Sequence, residues 1–304
     1  MKKSLIVLLG ISNLLLASEF NYGAGTFTMQ GGFLGSTNEM STDINTYSLV
    51  TRHANIFGNF FYGYDLNWYD SDTVKQNQYT YNSTVDTLNT NPYMTTATTT
   101  TGITIPAMDY TLQGLDANIR LGYDVWHQDS DNFLGLGVIV GISLPWIDSS
   151  KSDDSSSDDS STDILGTFPD TETTIKTYKI GGTINFQKTL ISNKLSFYAL
   201  GSYAFQTGDI ENDYLNSDYS VDGTFQEYNI GLYFTPFTEK FKWGFLTLSP
   251  RIFATIGYKY SKWSVDKVAI NMSGQEVNSD ILEPLATDFD MDSSVGYFGI
   301  GYSF

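Results

Sequence analysis

The stretch from Ser294 to Phe304 constrains the fold more than any other. Read back from Phe304, every second residue is large and apolar: Tyr302, Ile300 and Phe298. Between them lie Ser303, Gly301, Gly299 and Tyr297. A period of two means a strand with one greasy face and one small or polar face. Strands of a soluble β-sandwich alternate too. They seldom carry the pattern to a final aromatic residue.

The same period recurs upstream and predicts ten strands. In the third, Phe60, Tyr62, Tyr64, Leu66 and Trp68 share a face, opposite Gly63, Asp65 and Asn67. The fourth sets Leu115, Ala117, Ile119, Leu121, Tyr123 and Val125 against Asp116, Asn118, Arg120, Gly122 and Asp124. The fifth sets Leu134, Leu136, Val138, Val140, Ile142 and Leu144 against Gly135, Gly137, Gly141 and Ser143. The sixth turns Lys179, Gly181, Thr183 and Asn185 away from Tyr178, Ile180, Ile184 and Phe186. In the eighth, Tyr228, Ile230, Leu232 and Phe234 oppose Asn229, Gly231 and Tyr233. In the ninth, Ile252, Ala254, Ile256, Tyr258 and Tyr260 oppose Arg251, Phe253, Thr255, Gly257 and Lys259. Pro250 fits there only as a bulge or as the start of the strand. The first strand, Phe20 to Gly32, is too glycine-rich to assign faces, and the second, Asp43 to Arg52, is the least regular.

The joins alternate between short turns and long loops, the loops falling near 33–42, 70–109, 148–170, 208–222 and 261–287. The loop at 148–170 carries the acidic run Asp153-Asp154 and Asp158-Asp159 among serines, a solvated composition without core-forming residues. Charged residues are only 16% of the chain and aromatics 15%. No internal run approaches the roughly 20 apolar residues of a spanning helix. The reading is therefore all-β: a closed antiparallel up-and-down transmembrane β-barrel of about ten strands, with eight and twelve as alternatives. Closure is required because every backbone N–H and C=O in hydrocarbon must be paired.

Residues 1–18 read as a secretory signal, with Lys2 and Lys3 before an apolar core from Leu5 to Leu16 and small residues at Ala17-Ser18. Removing it takes away two lysines, so the net charge goes from −18 to −20. That argues against nucleic acid as a partner, which calls for clustered Lys and Arg. The chain has no cysteine, and nothing calls for a cofactor.

Phe298, Ile300, Tyr302 and Phe304 together resemble the C-terminal signature of Gram-negative outer-membrane β-barrel proteins. The resemblance implies that this strand closes the barrel against the first and is read by the barrel-assembly machinery. It also implies an outer-membrane location, contact with lipid and lipopolysaccharide, periplasmic turns and extracellular loops. Trp68, Trp126, Trp146, Trp243 and Trp263 fall near strand ends, where membrane girdles sit.

Three sets of residues stand out. The inward row holds Asp65, Asp116, Arg120, Asp124, Lys179, Arg251 and Lys259, which are expected to be paired or wet inside the barrel. On the outward parity, Lys176 and Lys262 sit at strand ends, in reach of lipopolysaccharide phosphates or snorkelling to the interface. Asp288, Asp290 and Asp292 mark either the upper edge of the apolar band or a place for divalent cations bridging to lipopolysaccharide. They do not complete a calcium loop, since Ser293 and Gly299 stand where Gly and Glu belong.

A ten-stranded barrel of this kind is similar to the omptin proteases, whose site pairs Asp with His at the outer rim. Here the two histidines, His53 and His127, fall in expected periplasmic turns, so no metal centre or catalytic residue is assigned. Two readings of function follow. One is a narrow porin-like channel for small solutes, lined by the inward charges and by glycines that leave space. The other is a structural or surface-interaction barrel, plugged inside, that displays its loops.

Overall fold

The structure is a computed structural model. It describes residues 19–33, 36–76, 79–86, 98–105, 108–126, 132–151, 171–192, 194–212, 219–236, 241–243, 246–248, 252–272, 275–277 and 289–302. The expected signal segment, His127, the acidic run at 153–159, Pro250, Arg251, Asp288 and Phe304 lie outside the described residues.

Ten long strands form the wall. They are β1 (Glu19–Phe33), β2 (Ser36–Phe57), β3 (Phe60–Ser71), β4 (Met108–Asp124) and β5 (Phe133–Lys151). The second half is β6 (Thr171–Ile191), β7 (Leu195–Asn212), β8 (Tyr219–Phe234), β9 (Ile252–Met272) and β10 (Phe289–Tyr302). Each pairs antiparallel with its sequence neighbours. β10 then pairs antiparallel with β1, from Glu19↔Gly301 to Gly31↔Phe289, so the ring closes. A closed ring leaves no edge carrying unpaired backbone groups.

The alternation seen in the sequence becomes inside and outside. Ile119, Leu121, Leu136, Val138, Tyr178, Ile180, Phe205, Ile230, Ile256, Phe298, Ile300 and Tyr302 all point out and are exposed. Asp65, Asn67, Asp116, Asn118, Arg120, Lys179, Thr183, Asn185 and Glu227 point in and are buried. A water-soluble domain does the reverse. An apolar belt around a polar interior is the pattern of a barrel whose outer solvent is hydrocarbon. Outward aromatic pairs such as Phe60–Tyr123 and Trp68–Trp146 add to the belt.

The strands outrun the sequence expectation at the long-loop end. The β1–β2 ladder continues to Phe33↔Ser36, β4–β5 to Met108↔Lys151 and β6–β7 to Thr173↔Asn212. Much of 33–42, 148–151, 208–212 and 261–272 is therefore strand rather than loop. Above the apolar belt the wall is polar, so alternation of hydrophobicity fades there while backbone pairing goes on. A tilted strand needs only about 9–11 residues to span hydrocarbon. β6 and β9 have 21 residues each, well beyond that length. Part of 70–109 is also ordered: Val74–Gln76 pairs with β4, and Tyr79–Asp86 pairs with Thr98–Ile105 as a separate hairpin.

Two more differences concern β2. It runs past His53, whose backbone lies in the strand and not in a turn; the turn is at Gly58, with φ +58°, and Asn59. The β2–β3 register also shifts between Thr51 and Ala54. That bulge breaks the period of two and explains the irregular reading of this strand.

Candidate functional site

Side chains crowd the lumen in successive layers. Alternate inward residues on ten strands converge there, and the wide spaces left by inward glycines are taken by neighbours. A Cβ on Gly114 would come within 2.1 Å of the Tyr69 ring, and one on Gly231 within 2.3 Å of the Tyr198 hydroxyl. Gly114, Gly135 and Gly231 thus seat aromatic side chains of neighbouring residues, while at Gly63, Gly137, Gly181, Gly208 and Gly223 the neighbouring backbone comes closest.

Toward the long-loop end sits an apolar cluster. Phe27, Ile44, Tyr69, Leu112, Ile175, Phe225, Trp263 and Met291 meet there, all buried. Phe27 stacks on Tyr69 at 5.7 Å between ring centroids, and Trp263 lies 6.1 Å from Phe27 and 5.6 Å from Phe225. These rings come from β1, β3, β8 and β9, so they span the lumen.

Below it lies a charged layer. Arg120 on β4 pairs with Asp65 on β3 and, across the lumen, with Glu227 on β8. Lys179 on β6 pairs with Asp116 on β4 and sits 3.7 Å from the centroid of the Phe225 ring. Lys259 on β9 is 2.9 Å from Glu227 and 3.8 Å from Asp65. Asn118 donates to Asp65 and to Asp116, both at 2.8 Å, and Asn67 donates to Asp65 at 2.8 Å. Ser143 donates to Asp116 and accepts from Trp263 Nε1 at 2.9 Å, tying this layer to the apolar one. Three acids thus face three bases. Burying them carries a desolvation cost that such pairs offset only when geometry and extra hydrogen bonds are good. The layer therefore fixes an arrangement more than it adds stability.

One oxygen from each of Asp65, Asp116 and Glu227 lies within 4.8 Å of the others, a spacing that could suit a metal ion. Arg120, Lys179 and Lys259 already supply the positive charge at those oxygens. The residues present do not call for an ion there.

A third layer lies toward the short-turn end. Arg52, aimed inward by the β2 bulge, donates from Nη2 and Nε to Glu19 at 2.6 and 3.0 Å. Thr255 donates to the same carboxylate at 2.8 Å. Tyr297 donates to Asn229 at 2.6 Å and shares a hydrogen bond with Tyr198. Beyond these, Phe61 meets Phe133 edge-on at 5.0 Å, and Tyr233 meets Phe253 at 4.2 Å.

Of the inward residues named from sequence, the structure gathers Asp65, Asp116, Arg120, Lys179 and Lys259 into one network. Asp124 stands apart. Its Oδ1 accepts from the backbone N–H of Trp126 at 3.0 Å and of Leu134 at 3.3 Å, so it caps the β4–β5 turn. Glu227, Glu19, Arg52, Tyr198 and Tyr297 were missed. On the outer face, Lys262 pairs with Asp290 at 2.8 Å, Asp292 lies opposite Lys262 in the ladder, and Lys176 lies 5.4 Å from the centre of the Tyr178 ring.

The sequence matches no protein-family model and no curated protein. Among solved structures, the outer-membrane protease OmpT from Escherichia coli is similar at a TM-score of 0.46, with 10% identity over 95% of this chain and 97% of that one. The translocator domain of the autotransporter NalP from Neisseria meningitidis gives 0.35, with 9% identity over 100% and 97%. The attachment invasion locus protein Ail of Yersinia pestis, solved with a heparin analogue, gives 0.28, with 10% identity over 93% and 99%. At these values nothing about activity follows, and the class rests on the ladder and the two faces. A ring of ten antiparallel strands, closed on itself, apolar outside and charged inside, gives this chain the architecture of a transmembrane β-barrel.

Proposed function

We propose that this protein is a filled barrel whose task is to hold structure above the membrane, not to pass solutes. The observation that carries the reading is the apolar cluster of Phe27, Tyr69, Phe225 and Trp263 lying over the charged layer. Among the described residues, such a layer offers water and ions few polar partners. Ten strands also sit nearer the count at which side chains fill a barrel than the sixteen or more that leave a channel. The wall that continues past the apolar belt, and the hairpin from Tyr79 to Ile105, are what the barrel would present to partners. Export through a signal peptide cleaved near Glu19, assembly through the closing strand, and contact of Lys176, Lys262, Asp290 and Asp292 with lipopolysaccharide, directly or through divalent cations, belong to the same reading.

Small-solute uptake by cells tests it. Cells expressing the barrel should take up small sugars and amino acids at the rate of cells lacking it. A version without 77–107 and 152–170 should fold, keep that rate and lose surface attachment. Faster uptake by the intact barrel would favour the porin-like alternative.

A further inference from the structure

Between the charged layer and the Arg52 layer lies a chamber of about 60 Å³, room for a few water-sized groups. Its lining includes Arg52, Tyr69, Arg120, Lys259, Ser261 and Ser293. We propose that this chamber binds a small oxyanion, with the chemistry of inorganic phosphate or a simple carboxylate.

Asp65, Asp116 and Glu19 are saturated by hydrogen bonds from the wall, while Glu227 Oε2 has no hydrogen bond and faces Lys259 at 2.9 Å. Asp65 accepts from Arg120, Asn67 and Asn118; Asp116 accepts from Lys179, Ser143 and Asn118. Glu19 accepts from Arg52 and Thr255. Their side chains retain 6%, 4% and 1% exposure, and Glu227 retains 1%. The bases are different. Lys259 keeps 18% of its side chain exposed and Arg52 14%, and both line the chamber. Two more donors on the lining have no partner although buried: Arg120 Nε and the Tyr69 hydroxyl. Asp65, Asp116 and Glu227 also line the chamber, but open donors on Lys259, Arg52, Arg120 and Tyr69 outnumber the one open acceptor, Glu227 Oε2, so the face left to a guest is mainly one of donors. Charged donors bind oxyanions through short, strong hydrogen bonds, and the orphaned buried donors gain the partners they lack. The apolar cluster above blocks exit on that side, so binding here is occlusion and not transport.

Equilibrium dialysis with radiolabelled inorganic phosphate tests the proposal, using the refolded full barrel in neutral detergent at constant ionic strength set with chloride. Wild type should bind phosphate saturably at one site per barrel, with acetate competing. K259Q removes an exposed donor and should weaken binding about tenfold, while K259R retains it. S293L leaves every charge in place but fills the chamber, and should weaken binding as much; it also serves if K259Q fails to fold. Absence of saturable binding to folded wild type would overturn the proposal, as would unchanged affinity in either folded variant. A barrel that binds no anion would still be filled, so that result leaves the surface-display reading standing.

Discussion

The guanidinium of Arg52, from β2, lies 3.7 Å over the ring of Tyr198, from β7 on the other side of the lumen. The contact bridges opposite walls of the barrel. It combines a cation–π interaction with a forked hydrogen bond to Glu19 on β1. Truncating Arg52 to Ala leaves Glu19 buried and unpaired, which should cost about 3–5 kcal/mol. The double variant E19Q/R52M should recover most of that loss. Unfolding in urea, followed by the heat-modifiable shift in gel mobility, checks both values.

The inward glycines should reject even a methyl group. G114A drives a Cβ to 2.1 Å from the Tyr69 ring, and G231A drives one to 2.3 Å from the Tyr198 hydroxyl. Overpacking of this kind typically costs about 1–3 kcal/mol. Gly182 is the control, since nothing lies within 4 Å of its Cβ position, and G182A should stay within about 0.5 kcal/mol of wild type. Equal effects at all three positions would show that the lumen is looser than the structure has it.

The outer face should behave as a lipid face. Ile180 is 63% exposed and Ile256 61%. In a soluble barrel, I180K or I256K would be harmless. In a bilayer, Lys on the lipid side costs about 2–4 kcal/mol near the midplane. Folding into lipid vesicles should therefore be impaired for both variants.

The same logic applied to the charged layer gives a contrast within one pair. K179M strands Asp116 and should destabilise strongly, by about 3–5 kcal/mol. D116N/K179M removes both charges and should be milder. If the single and double variants unfold alike, the pair contributes nothing specific to holding β4 and β6 together.

Much of this was legible in the sequence because a barrel reports its two faces with a period of two. Asp116, Arg120, Lys179 and Lys259 were placed inside by parity alone. Glu227 was missed because the eighth strand was read only from Tyr228; one step back along the same parity turns it inward. Arg52 was missed for a physical reason, since the shift between Thr51 and Ala54 breaks the period that would have placed it. Glu19 went unread because glycines hid the faces of its strand. Whether the lumen is open or plugged was left as two readings, because parity places a side chain inside without showing how far it reaches across. Gly114 shows only that its own side chain is absent, while the ring that occupies its place comes from Tyr69 on the next strand.

Single-channel recording in planar bilayers tests the filled lumen most directly, provided insertion is verified independently. The wild-type barrel should give no unitary current steps. F27A/R52A/W263A, which thins both closing layers, should give them. Resolved conductance steps from inserted wild-type protein would contradict the account.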